Sequence, residues 1–210
     1  STFSFFVGHH LSTIEGGMVC TDNELLFKSL VMTRAHGWDR NLSIEDQTSY
    51  RKKNNVEDFY SKYTFYDLAF NVRPSEINGF LGNVQLKYWD DIVEKRSSNF
   101  QQVYDVMLSN NDLLNLNLQH MSIASSFAIP IVTKSKELQI IYRNKFTKAE
   151  IEIRPMIAGN MSSQPFFKKY IQTNESLPNA EFIHENSFYC GNNPDMNEKD
   201  LLIITDAISQ

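Results

Sequence analysis

Ser4, His9 and Glu15 stand within one short block, Phe3-Ser4-Phe5-Phe6-Val7-Gly8-His9-His10-Leu11-Ser12-Thr13-Ile14-Glu15-Gly16-Gly17. An imidazole moves protons near neutral pH, which suits His9 to general acid–base work. A serine hydroxyl such as that of Ser4 both donates and accepts hydrogen bonds. A second block, Phe70-Asn71-Val72-Arg73-Pro74-Ser75-Glu76-Ile77-Asn78-Gly79, brings an amide and a guanidinium close together. Each residue also has a plain reading. Adjacent histidines are usually a surface pair, and Glu-Gly-Gly alone is a turn signal. Ser4 then ends a strand, Asn71 caps a helix and Arg73 makes an exposed ion pair. His10 either orients His9 or fills a turn.

The flanking residues say which elements must position these groups. Thr2 to Val7, rich in Phe, reads as a strand, and Gly8 to Ser12 as the loop leaving it. Gly17 to Cys20 reads as a second short strand. Thr21-Asp22-Asn23-Glu24 fits a capping box opening a helix through Leu26, Phe27, Leu30 and Val31, with Gly37 as its stop. Asp39 to Tyr66 is polar without a sustained period and reads as a long loop. Pro74 marks a helix start. Helical spacing then runs through Phe80, Val84, Trp89, Val93, Phe100 and Met107, as one long helix or two joined by a bend. Beyond a connector at 109–118, Phe127 to Thr133 reads as a strand that Pro130 confines to an edge. Helices are expected at 135–147, 166–171 and 178–186, strands at 149–155 and 188–190, and a last helix capped by Asn197. The strand–helix alternation argues an α/β class.

The chain has 210 residues, 41% hydrophobic and 21% charged, ordinary for a globular protein with a sizeable core. A net charge of -5 disfavours nucleic acid and anionic membranes as partners. Arg51-Lys52-Lys53 is a short basic run read as a solvated loop. No apolar stretch reaches bilayer length and no secretory pattern opens the chain, so a cytoplasmic setting is expected. Cys20 and Cys190 make no CxxC or zinc spacing and read as reduced buried thiols; no metal site is expected. A start on Ser1, directly in a strand, reads as a partial chain.

Taken together, these blocks resemble the sugar aminotransferase family, pyridoxal 5'-phosphate (PLP) enzymes of fold type I. That family reads Ser-Phe, three residues, Lys, then Glu-Gly-Gly; here His9 stands at the lysine position. The likeness continues through Arg34-Ala35-His36-Gly37-Trp38-Asp39-Arg40, the 70–79 block, Gln85-Leu86, Lys95-Arg96, Ile153-Arg154-Pro155, 159–166 and Gly191-Asn192-Asn193-Pro194. It spans this chain but only the C-terminal part of the family's length.

The resemblance implies the end of a large α/β domain over 1–108 and a small α/β domain over 109–210. It implies Ser4 on the cofactor phosphate and Asn71 reaching the phosphate in a neighbouring subunit, hence a homodimer. The family's partner for the pyridinium nitrogen lies upstream of this chain. With histidine for lysine, PLP is held without a covalent tie, and L-glutamate converts it to pyridoxamine 5'-phosphate. The histidine-bearing branch most similar here removes the 3-hydroxyl of GDP-4-keto-6-deoxymannose, a nucleotide-linked 4-keto-6-deoxy sugar of lipopolysaccharide biosynthesis. A sister branch carries an iron–sulfur cluster, which needs several thiolates. No cysteine follows His36 where they would cluster, so none is expected. Two other readings stay open: a sugar aminotransferase that lost its lysine, and a non-catalytic fragment pairing with an intact homologue.

Overall fold

The computed structural model describes residues 1–157, 159–171 and 175–209. They form two compact units, Ser1–Lys87 and Tyr88–Gln210. The division expected from the resemblance, at 108/109, kept the long helix with the first part. In the structure that helix packs within the second unit, because its apolar face meets the C-terminal helix.

In the first unit, β1 (Thr2–Ser4) pairs antiparallel with β2 (Gly17–Val19), Phe3 opposite Met18. The strand is shorter than the Thr2–Val7 expected, because the backbone folds into a loop as soon as Ser4 is passed. Next comes α1 (Glu24–Thr33). Its cap is Asn23, whose side chain accepts from Leu26 N, rather than Thr21. Thr21 Oγ1 instead accepts from Asn23 N, ordering the residues just before the helix.

Half of the expected long loop is instead helical. It contains α2 (Ile44–Lys53) and α3 (Asp58–Ser61). α2 buries no residue, so no apolar period announced it. Its termini hold it. Ser43 Oγ accepts from Asp46 N, Glu45 and Asp46 lie in the first turn, and Arg51-Lys52-Lys53 form the last. Acids at the start and bases at the end complement the helix dipole. Lys28 bonds both Glu24 and Asp46 at 2.6 Å, tying α1 to α2; Asp46 is held below its usual range by Lys28 and then by Ser43. The unit ends in α4 (Glu76–Leu86), opened by a capping box of Ser75 and Asn78.

The second unit begins with α5 (Trp89–Ser109). It continues through β3 (Ala128–Val132), α6 (Lys136–Lys148), β4 (Ile153–Pro155), a 3-10 turn at Met161–Ser163, α7 (Pro165–Tyr170), α8 (Pro178–Asn186), β5 (Ser187–Gly191) and α9 (Glu198–Ile208). The sheet order is β3-β5-β4, all antiparallel, so Pro130 does lie on an edge strand. Its core gathers Phe100, Val103, Ile129, Ile131, Phe146, Phe188 and Ile204. Local signals set the helix starts: Ser135 and Asn197 cap α6 and α9, and Pro165 and Pro178 occupy the first turns of α7 and α8. Of the 149–155 segment only Ile153–Pro155 pairs.

Candidate active-site loop

Between β1 and β2 the chain makes one closed loop, and His9 rides on it. Phe5 N donates to Gly16 O at 2.9 Å and Thr13 N to Phe5 O at 2.9 Å, so both limbs are stitched at the base. Ser4 and His9 are joined through Phe6. Phe6 N donates to Ser4 Oγ (3.3 Å), His9 N donates to Phe6 O (3.2 Å), and the Phe6 ring meets the imidazole edge-on at 6.5 Å. Ser4 is exposed and His9 half-buried. Gly8 turns the chain with φ +97°, and an added Cβ there meets open space. His10 is half-buried in the same bend.

The returning limb is strained and strongly held. Ile14 is β-branched yet has φ 72°, a conformation such residues avoid. Thr13, 6% exposed, donates its hydroxyl to Glu15 O at 2.7 Å, and Ser12 Oγ accepts from Ile14 N at 3.2 Å. α4 docks on this limb. Asn78 Nδ2 donates to Thr13 O (3.1 Å) and Glu15 O (3.2 Å). The Gln85 amide grips Ser12 at both ends: Oε1 accepts from Ser12 N at 3.0 Å and Nε2 donates to Ser12 O. Asn78, Leu81, Gly82 and Gln85 are the half-buried residues of α4 and share one helical face. These contacts were not foreseen. The available signal was a polar pair, Asn78 and Gln85, two helical turns apart.

Asn71 lies elsewhere in the unit. Its backbone bridges to Ala35 just beyond α1, with Phe70 and Val72 N–H groups bonded to Thr33 and Arg34 carbonyls. It caps no helix, since Ser75 does that. Its Oδ1 accepts from Arg73 Nε at 3.0 Å; among the described residues its Nδ2 has no partner. Among the described residues Arg73 makes no ion pair, unlike its plain reading. Its guanidinium lies 5.5 Å from the Trp38 ring centroid, and that of Arg40 lies 3.8 Å from the same ring and 4.7 Å from Tyr63. Neither arginine has a carboxylate partner among the described residues. Arg40 Nη2 donates to Lys62 O and Arg73 Nε to Asn71 Oδ1, so each guanidinium is partly engaged and only its remaining donors are available to an anion.

Next in sequence to Trp38, Asp39 is fully buried and bonded by Arg51 Nε at 2.7 Å and Tyr66 OH at 3.4 Å. Burial and then the Asp39 charge push the Tyr66 phenol up, so it stays a neutral donor. The His36–Gly37 corner carries φ 61° and φ 79° and turns the chain into this cluster. In the second unit, the Gly191-Asn192-Asn193-Pro194 motif is structural. Asn192 Nδ2 donates to Arg96 O and Ser126 O, both at 2.9 Å. Burial lowers the Arg96 pKa from its ordinary value. Cys20 is exposed rather than buried; Cys190 is buried, its thiol pushed up to about 12 by burial. Among the described residues no cluster of metal-ligating side chains occurs, and no helix is long and apolar enough to cross a membrane.

The sequence pattern of the DegT/DnrJ/EryC1/StrS aminotransferase family matches residues 1–209. The chain belongs to that family. It is 32% identical over 197 residues to the GDP-4-keto-6-deoxy-D-mannose 3-dehydratase of Escherichia coli O55:H7, covering 91% of this chain and 49% of that protein. A solved structure described as E. coli GDP-4-keto-6-deoxy-D-mannose-3-dehydratase with bound hydrated PLP superposes with a TM-score of 0.79 at 27% identity, over 99% of this chain and 54% of that one. Another, of GDP-4-keto-6-deoxymannose-3-dehydratase with a trapped PLP-glutamate geminal diamine, gives 0.81 at 27% identity, with the same coverage. The chain thus spans about half the length of these relatives, and its fold is the corresponding part of a fold type I PLP enzyme.

Proposed function

We propose that this chain is the histidine-bearing part of a PLP- and glutamate-dependent 3-dehydratase acting on a nucleotide-linked 4-keto-6-deoxy sugar. One observation carries the reading: the His9 imidazole is half-buried on a tightly stitched loop, at the position that the Ser-Phe to Glu-Gly-Gly spacing matches to the family's cofactor lysine. The donor set fits such a cofactor. Ser4 offers a hydroxyl, Asn71 an amide nitrogen and Arg73 a guanidinium, all suited to phosphate oxygens, while position nine offers no amine to tie an aldehyde. When bound, PLP supplies an electron sink and a carbon that can exchange an amino group with glutamate.

His9 takes a proton at the C4′ carbon and returns one to the oxygen leaving C3. Because the side chain is not a primary amine, it cannot recapture the aldehyde and finish amino transfer. Ser4 binds the phosphate end within its own subunit. Asn71, with Arg73, serves the phosphate of a partner subunit, which makes a homodimer the working unit. Arg40, stacked on Trp38 and Tyr63, suits an anionic substrate such as a sugar nucleotide. The products are 2-oxoglutarate from the amino donor, ammonia and a 3-deoxy-4-keto sugar, made in the cytoplasm for lipopolysaccharide assembly.

The test is to incubate the full-length protein with PLP, L-glutamate and GDP-4-keto-6-deoxymannose. Ammonia and a 3-deoxy sugar are expected, and both should vanish in His9→Asn. A 4-amino sugar would instead establish the aminotransferase reading and refute this one.

A further inference from the structure

We propose that Gln85 and Asn78 are positioning residues: one face of α4 acts as a clamp that fixes the strained limb of the loop and thereby the reach of His9. The inference deepens the proposed function and rests on His9 as its proton-transfer group. Three observations meet here. The limb holds Ile14 at φ 72°, and Gly16 follows at φ 145°. Such backbone persists only where its surroundings over-determine it, and it concentrates at functional sites.

Second, the clamp supplies that over-determination from residues 63 to 73 positions away in sequence. The Gln85 amide offers one donor and one acceptor to the donor and acceptor of Ser12, so it pairs as a neighbouring strand would. A carboxylate or an apolar side chain cannot reproduce this. Third, the approach is close. A Cβ on Gly82 would sit 3.5 Å from Thr13 Cγ2, ordinary contact, so the helix face rests directly against the loop.

The consequence for His9 is geometric. His9 lies between two anchored points, the Phe5–Gly16 and Thr13–Phe5 stitches on one side and the Ser12–Gln85 pair on the other. Only Phe6 to Leu11 span the gap. Releasing Ser12 removes the tie beside the Thr13–Phe5 stitch and loosens the limb that ends the His9 bend, so the imidazole is held less tightly for proton transfer. Small misplacements of this kind lower the rate of the chemical step more than binding.

The experiment compares full-length protein with Gln85→Met, Gln85→Asn and Asn78→Ala. Residue-resolved amide exchange without cofactor or substrate reports the clamp directly. In Gln85→Met the Ser12 and Thr13 amides should lose protection by about ten- to a hundredfold, as expected for two lost hydrogen bonds. Amides of β5 and α9 should be unaffected. With PLP, glutamate and sugar nucleotide, kcat should fall by about tenfold or more while the sugar KM stays within about twofold. Gln85→Asn, which keeps the amide, should recover part of both. Unchanged Ser12 exchange in Gln85→Met overturns the clamp, as does increased exchange with an unaltered kcat. Should Gln85→Met fail to fold, Asn78→Ala decides by the same two criteria at Phe5 and Thr13, whose N–H groups close the base of the loop. An active enzyme indifferent to His9→Asn overturns the functional reading instead, and the exchange result then stands by itself.

Discussion

Replacing Asn192 with leucine tests whether the Gly-Asn-Asn-Pro turn is a structural latch. The Asn192 side chain is 1% exposed and joins three segments of the second unit. Its Nδ2 donates to Arg96 O on α5 and to Ser126 O ahead of β3, both at 2.9 Å, and its Oδ1 accepts from Asn99 Nδ2 at 3.3 Å. Leucine keeps the branched outline of asparagine but is bulkier, so the polar loss worked out next is a lower bound to which overpacking adds. The three losses are unequal. Arg96 O lies inside α5 and keeps a helical partner, and Asn99 Nδ2 keeps Asn193 O at 3.0 Å. Each of these costs about 0.5–1 kcal/mol. Ser126 O loses a buried donor, at about 1–2 kcal/mol. The sum is about 2–4 kcal/mol, which corresponds to a roughly 30- to 1,000-fold loss of exchange protection. Native-state hydrogen exchange of peptides covering α5 and β5 in the full-length protein reads it, and avoids a single melting temperature for a multi-unit chain. Asn192→Asp should be worse at neutral pH, since a buried carboxylate then faces two carbonyl oxygens. A leucine variant within about 1 kcal/mol of the parent would sink the argument, because a site this buried has no water to replace the lost donor.

Other outcomes follow from the same contacts. His9→Lys should give the full-length protein a PLP absorbance that survives dialysis and is abolished by borohydride trapping at position nine, as a covalently held aldehyde requires. Gly37→Ala should destabilise the first unit by at least about 2 kcal/mol, seen as faster exchange across α1; the residue has φ 79° and an added Cβ would sit 2.3 Å from Asp67 O. At pH 8, a maleimide followed by peptide mass mapping should label exposed Cys20 quickly and Cys190 only after unfolding, because burial keeps the Cys190 thiol protonated. The Lys28–Asp46 pair should weaken in acid. Asp46 has a lowered folded pKa, so its contribution is present above the unfolded value of about 4 and is lost as pH falls through the folded one. Lys28→Met should therefore flatten the acid limb of an exchange–pH profile for α1 and α2, and an unchanged profile would discount that bridge.

The amino-acid sequence determined what is encoded within a few residues. Ser135 and Asn197 cap their helices, Pro178 opens α8 and Pro130 keeps β3 at an edge, because capping and ring constraints act locally. The spacing from Ser4 to His9 to Glu-Gly-Gly placed the chain in its family, since that block is continuous. Tertiary structure decided the rest. α2 buries nothing and hangs on Ser43 and on Lys28 from another helix, so no periodicity could reveal it. Asn71 was legible as a polar residue, but its bridge to Ala35 and its bond from Arg73 were not. The grip of Gln85 on Ser12 and of Asn192 on Arg96 joins residues 73 and 96 positions apart. A side-chain amide reads the same in a sequence whether it faces water or completes a distant backbone; only the folded chain supplies the carbonyl and the N–H that give it a task.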